Sequence, residues 1–252
     1  MRKLCLLAAL VSPLACAQVV SVESNSLMRL PNTASTLQLE RLDVADYGTL
    51  LIPANVTEVT VGQLHLGREA RIAIVPSEQP LELKISHAEL AEGSLITSRG
   101  APGTYQKAAR SGRNLTLQIK ALNAPQLFVD ARGGAGAPGF VGLDGGNGEE
   151  PGCTWGEAGH GFDGSNGTDG QPGAPGALVR LQVPRDFPAA LIKVQVAGGA
   201  GGLAGPGGKA GAGGKAKGCI VYTTDGGKNG RPGADGQPGP AGAAGAVSIQ
   251  RL

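Results

Sequence analysis

From Leu37 onward, apolar and polar residues alternate, and the alternating runs come in pairs. LQLERLDVADYGTLLIP (37–53), VTVGQLHLGREARIAIVP (59–76), LELKISHAELAEGSLITSRG (81–100) and LTLQIKALNAPQLFVDARG (115–133) each hold one such run, a brief turn and a second run. Period-two alternation predicts strands with one buried face. The starts at Leu37, Val59 and Leu81 are 22 residues apart, and Leu115 comes 12 residues late, which an insertion around 100–112 explains. A period near 22 with two strands per unit predicts a short β-solenoid, whose coils stack and bury their inward side chains. The expected inward positions include Leu37, Leu39, Leu64, Leu66, Ile72, Ile74, Leu83, Ile85, Leu115, Leu117 and Val129. A β-sandwich uses the same alternation without a fixed period and is the competing architecture. VRLQVPRDFPAALIKVQVAGG (179–199) repeats the form, and AVSIQRL (246–252) reads as the first half of one more unit.

A second pattern lies between these strands. Glycine recurs every third residue in four runs: Gly133 to Gly148, Gly161 to Gly176, Gly199 to Gly214 and Gly227 to Gly245. Three is the period of polyproline II, which places every glycine of a run along one edge where another backbone can approach. Each run would form a rod of roughly 50 Å at about 3.1 Å per residue. Breaks of turn length at 149–160 and 215–226 make runs one and two one hairpin, and runs three and four another. Adjacent coils lie about 4.8 Å apart, so rods leaving one corner of the solenoid would pack side by side as an intramolecular bundle. A collagen-like trimer is the alternative, although collagen favours one uninterrupted run.

Segments such as GAPGFVGLDGGNG and GFDGSNGTDGQPGAPG, with cysteines at the turns, resemble the glycine-rich polyproline II bundles of springtail antifreeze proteins and of tip adhesins on some phage tail fibres. Bacterial collagen-like surface proteins share the composition. The resemblance covers about 133–245. It implies a polyproline II bundle and, by analogy, glycan or protein recognition, or ice binding. Lys209, Arg231 and Asp235 interrupt the flat face of small residues that ice binding needs.

Composition adjusts this picture. Glycine is 43 of 252 residues, against a usual share of about 7%. Aromatic residues are 3% and charged residues 17%, so a large conventional core cannot run through the whole chain. A net charge of +2 gives no electrostatic case for nucleic acid. Residues 1–17 read as a secretory signal: Arg2 and Lys3, an apolar centre from Leu4 to Leu14, then Ala15-Cys16-Ala17 before Gln18. The apolar stretch is too short for a membrane span. Lipidation at Cys16 is the alternative, with Pro13 where such signals usually carry leucine. The expected destination is the cell surface or the extracellular space, with the periplasm as the other possibility.

The expected organisation is a signal at 1–17, a flexible lead-in at 18–36, solenoid coils at 37–132, glycine-rich hairpins at 133–176 and 199–245, a coil at 177–198 between them, and a final strand at 246–252. With the signal removed, Cys153 and Cys219 are the remaining cysteines. An exported chain with two cysteines invites a disulfide, here joining the hairpin tips. Its loop-closure stabilisation is roughly 4 kcal/mol. A zinc reading with His160 lacks C-x-x-C spacing.

The candidate ligand site is the arm's tip, where EEPGCTWGEAGH (149–160) faces KAKGCIVYTTDG (215–226). Trp155 and Tyr222, with Glu157, His160 and Lys217 nearby, combine aromatic surface with hydrogen-bonding groups, a common way to bind sugars or proteins. The competing role is cover for the disulfide, with the acidic and basic loops neutralising each other. Asp144, Asp163, Asp169, Asp225 and Asp235 precede glycine; this reads as turn chemistry rather than as calcium-binding repeats. His65 and His87 read as surface or edge residues. Asn55, Asn114 and Asn166 begin N-x-[ST] triplets, relevant in a eukaryotic secretory route. No nucleophile elbow, phosphate loop, metal-binding helix or cofactor motif is present. The expectation is a non-enzymatic structural or adhesive monomer, without cofactor or metal, that recognises a glycan or surface protein. An envelope or matrix spacer and a collagen-like trimer are the other readings.

Overall fold

The computed structural model describes residues 18–153, 156–220 and 222–252. Residues 1–17, read above as a signal with Cys16, and the candidate ligand residue Trp155 lie outside the described residues. The protein is all-β, and its one helical element among the described residues is the 3-10 turn Ala189–Leu191.

Two parallel sheets enclose the core. The strands are β1 (Val19–Val22), β2 (Leu27–Arg29), β3 (Thr36–Val44), β4 (Thr49–Ile52), β5 (Glu58–Leu66), β6 (Arg71–Ile74), β7 (Leu81–Leu90), β8 (Leu95–Thr97), β9 (Leu115–Asn123), β10 (Leu127–Asp130), β11 (Leu178–Val183), β12 (Ile192–Gln195), β13 (Lys217–Gly218), β14 (Thr223–Thr224) and β15 (Ala246–Arg251). One sheet runs β1-β3-β5-β7-β9-β11-β15 and the other β12-β10-β8-β6-β4-β2. The chain thus visits the sheets alternately, and each strand pairs in parallel with the next visit to its own sheet. That pairing excludes an antiparallel sandwich.

The register follows the inserted segments. Val19 pairs with Arg41 and Thr36 with Glu58, an offset of 22. Between β5 and β7 the offset widens to 24, because Val59 pairs with Leu83 and not with Leu81. The expected uniform spacing fails there: Pro76-Ser77-Glu78-Gln79-Pro80 forms a longer corner. Leu81 instead continues one rung further, opposite Leu115.

The lead-in expected at 18–36 is corrected. β1 and β2 form a rung paired with β3 and β4, and Val20, Val22 and Leu30 join the core. The corners explain how polar sequence enters the repeat. Asn25, Tyr47, Glu69 and Gly93 all adopt positive φ (55°, 60°, 54° and 74°) at the same turn of successive rungs. Each turn amide bonds onward: Asn25 N–H to the Asp46 carbonyl (3.3 Å), Tyr47 to Arg68 (2.8 Å) and Glu69 to Glu92 (3.1 Å).

Leu39 and Leu42 are both buried, with exposed Glu40 and Arg41 between them. The pairing register skips Glu40, Gly62, Ser86 and Lys120 in the same column. The long strands therefore bend at this column, and both halves aim into one core. Gly62 is required there, since a methyl group would stand 2.5 Å from the Glu40 carbonyl oxygen.

Arg113 is fully buried. It donates from Nε to the Gln79 carbonyl (2.8 Å), from Nη1 to Pro53 (3.2 Å) and from Nη2 to Val56 (2.5 Å). Burial pulls its pKa below the usual guanidinium value.

At the root of the first glycine run, Arg132 clasps Asp130 through Nη2–Oδ2 (2.7 Å) and Nε–Oδ1 (2.9 Å). Burial by itself raises the Asp130 carboxyl, but hydrogen bonds and charge from Arg132 outweigh it, and the carboxyl sits below its ordinary value. A depressed folded value stabilises the fold fully above the unfolded aspartate pKa of about 3.9. That contribution is lost as pH falls through the lower folded value. Acid titration of the unfolding midpoint is therefore expected to show a loss below about pH 4 that Asp130→Asn reduces.

The glycine-rich arm and its tip

The four glycine runs lie against one another as extended segments. Run one donates to run three, from Gly133 N–H to the Ala197 carbonyl through Gly148 N–H to Ala212, with both numbers rising together. Run two donates to run four in the same way, from Gly161 to Lys228 through Gly176 to Ala243. These pairs are parallel. Run three donates back to run two (Gly199 to Ala174 through Gly214 to Gly159), and run four to run three (Gly227 to Gly214 through Gly245 to Val196), so these contacts are antiparallel. Buried glycine amides thus find backbone partners, as the satisfaction rule requires.

Run three carries a second glycine register that the three-residue reading missed. Methyl groups on Gly199, Gly202 and Gly205 would collide with carbonyls of run one, and methyl groups on Gly198, Gly201 and Gly207 with carbonyls of run four. A rod covered on both sides needs glycine on both edges.

The 100–112 insertion is a short hairpin of the same kind. Gly100 N–H donates to the Arg132 carbonyl (2.8 Å) and Gly103 N–H to Ala135 (2.7 Å), while Gly112 N–H donates to Pro175 (3.3 Å). Beneath it run one carries Gly134 and Ala137; beyond it come Phe140 and Leu143, 55% and 76% exposed. Residue size along run one follows where the hairpin stops. Tyr105 at its end stacks on Phe140, with ring centroids 4.4 Å apart.

The Asp-Gly steps at Asp144, Asp163, Asp169 and Asp235 belong to a ladder rather than to turns. Asp163 Oδ1 accepts the Arg231 N–H (2.6 Å), Asn166 Oδ1 the Ala234 N–H (2.8 Å) and Asp169 Oδ1 the Gln237 N–H (2.6 Å). Asp144 caps Lys209 N–H and Asn147 caps Ala212 N–H, while Asp235 and Asn229 cap Gly207 and Gly213. These amides have no backbone partner among the rods, and a short side-chain acceptor satisfies them. The same spacing puts Pro206 opposite Val141 and Pro240 opposite Pro172. Proline has no N–H, so no cap is needed there. Asp163→Ala is expected to cost about 1 kcal/mol and to speed hydrogen exchange at the Arg231 amide, while Asp163→Asn keeps the cap and the slow exchange.

At the far end Cys153 and Cys219 are bonded, with Cα atoms 5.7 Å apart. A disulfide fits an oxidising compartment. Tyr222 donates its hydroxyl to the Gly152 carbonyl (3.2 Å), and its own carbonyl accepts the Cys219 N–H (2.8 Å). Tyr222, Ile220 and the disulfide line a shallow cavity of about 320 Å³. Ile220 is 104% exposed.

Glu157 and His160 line a separate cavity of about 700 Å³ with Glu149, Glu150 and Phe162. His160 is not a free ligand: its Nδ1 accepts the Lys228 N–H (2.9 Å), so it starts the capping ladder. Lys217 lines neither cavity and pairs with Thr224 between β13 and β14. Among the described residues no ion pair joins Glu149, Glu150 or Glu157 to Lys215 or Lys217. No three His, Cys, Asp or Glu side chains among the described residues converge for a metal. No helix among the described residues is long and apolar enough to cross a membrane. Comparison with protein-family models, curated proteins and solved structures finds no match to this chain, so the functional reading rests on this geometry.

Proposed function

We propose that the chain is a non-enzymatic exported protein, structural or adhesive, in which a short β-solenoid carries a stiff polyproline II arm that presents its tip for recognition of a glycan or a surface protein. The observation that carries this reading is the tip itself. Ile220 stands fully exposed beside Tyr222 and the disulfide, on an arm whose rods are cross-bonded along their length. An exposed isoleucine at the end of a rigid support suits an apolar contact to a partner. The intramolecular bonding of the glycine amides favours a monomeric bundle over a collagen-like trimer, and sedimentation velocity on the mature chain separates the two.

The test measures binding of mature protein to a glycan panel and to whole bacterial and host cells. Wild type is compared with Trp155→Ala, Tyr222→Ala and Ile220→Ser. Binding that the tip substitutions remove, at unchanged unfolding midpoints, is the expected result. Binding that all three leave intact would place recognition elsewhere. Absence of binding by wild type would favour a spacer or assembly component of the envelope or matrix, and cross-linking in the native setting would then identify its neighbour.

A further inference from the structure

We propose a second ligand site, for a short neutral oligosaccharide, in a groove on the seven-stranded sheet. A cavity of about 610 Å³ lies over the ends of β3, β5, β7 and β9, within the usual size of small-ligand pockets. It is far along the chain from the tip and shares no lining residue with the tip cavities.

The fold builds this groove. β11 ends at Val183, and Pro184 cannot donate to the ladder. The chain there lifts away from the sheet and becomes a wall carrying Asp186. Phe187 is buried and pins the wall to the core. Arg251 Nη1 donates to the Pro184 carbonyl (3.1 Å) and to the Phe187 carbonyl (2.7 Å), which fixes it further. On the outer face of the sheet, exposed Ala121 stands where the neighbouring rungs carry Gln63 and His87. The missing bulk leaves the depression.

Its chemistry is mixed. In register across adjacent strands run Asp43, His65, Glu89 and Asn123, and beside them Arg41, Gln63 and His87. Asp43 Oδ2 accepts from Arg41 Nε (2.7 Å). Its Oδ1 is buried from solvent and has no hydrogen-bond partner among the described residues. An unpaired buried carboxylate oxygen is costly, and the Asp43 side chain as a whole remains 26% exposed, so the carboxylate still borders the groove.

Donors and acceptors of both charge signs surround an apolar floor of exposed Ala121 and half-buried Leu122 beside Pro184. A polyanion would meet Asp43, Glu89 and Asp186, and a polycation would meet Arg41 and Lys120. A sugar matches both features: each hydroxyl donates and accepts, and the C–H faces between them suit the apolar floor.

The test is saturation-transfer NMR with titration, using neutral cello-, malto- and chito-oligosaccharides at millimolar concentration against the mature chain. Ala121→Phe fills the groove from an exposed position and leaves every polar group in place. Trp155→Ala serves as the control for the tip. Transfer to at least one sugar is expected, retained in Trp155→Ala and weakened at least tenfold in Ala121→Phe at an unchanged unfolding midpoint. Absence of transfer from all three series, or binding that Ala121→Phe leaves intact, would overturn the groove assignment whatever the tip variants do.

Discussion

Gly205→Ala is expected to disrupt the arm, lowering stability by about 3 kcal/mol or more and opening the glycine runs to proteolysis. A methyl group there would fall inside the Phe140 carbonyl oxygen and crowd Gly139. Both obstacles are backbone, held by further bonds: Gly139 N–H to the Leu203 carbonyl (2.9 Å) and Gly205 N–H to Thr168 (2.9 Å). No side chain can rotate away, so the rods must separate and lose amide pairing along their length. Gly146→Ala is the control. Its methyl group would meet one atom, Phe162 Cδ2 at 3.5 Å, which is ordinary contact. That variant is expected within about 0.5 kcal/mol of wild type. Unfolding midpoints and limited proteolysis of both variants check the claim, and equal behaviour would mean the rods do not pack as described.

Arg113→Met is expected to be nearly as damaging in the parallel-sheet base. It removes one charge and the three hydrogen bonds that Arg113 donates to the carbonyls of Gln79, Pro53 and Val56. At about 1 kcal/mol for each hydrogen bond lost, the loss is about 3 kcal/mol in total. Pro53 and Val56 belong to the corner between β4 and β5 and Gln79 to the corner between β6 and β7, so Arg113 fixes how these two corners stack. Arg113→Lys is expected to recover little, because an ammonium on a single stem cannot reach three directions at once. Urea unfolding with both variants measures this. A midpoint shift confined to Arg113→Met, with Arg113→Lys near wild type, would make the charge rather than the fork the stabilising feature.

The strand pairs were legible because alternation reports burial directly. Leu39, Leu64, Leu66, Ile72 and Leu117 lie in the core as the alternation requires. The first rung was not legible: Asn25, Tyr47 and Glu69 occupy equivalent positive-φ corners without sharing a residue type. β1 and β2 are short, so polar corner residues dominate the composition of 18–36. The register shift at β7 was hidden for a related reason. Leu81 and Leu83 are both apolar and two residues apart, and either could face the core.

The tip shows the same limits. The pairing of Cys153 with Cys219 followed from their being the two cysteines left after the signal. The role of His160 did not follow, because its acceptor duty toward Lys228 depends on a residue 68 positions away. The aspartates before glycine looked like turn residues for the same reason. Locally, Asp-Gly is turn chemistry; only the neighbouring rod supplies the unpaired amide that Asp144, Asp163, Asp169 and Asp235 each cap.

What the sequence alone determined is periodic: where strands form, where glycine must lie, and which cysteines remain to pair. Periodicity is a property of consecutive residues and needs no partner to be read. What tertiary structure decided is the relation between periods. It set the order and direction of the four rods, the double glycine edge of run three, the match of caps to amides and of prolines to uncapped positions, the bonding of Arg113, and the groove beside Pro184. Each of these depends on which distant backbone lies within about 3 Å, the reach of a hydrogen bond, and that distance exists only once the rungs have stacked.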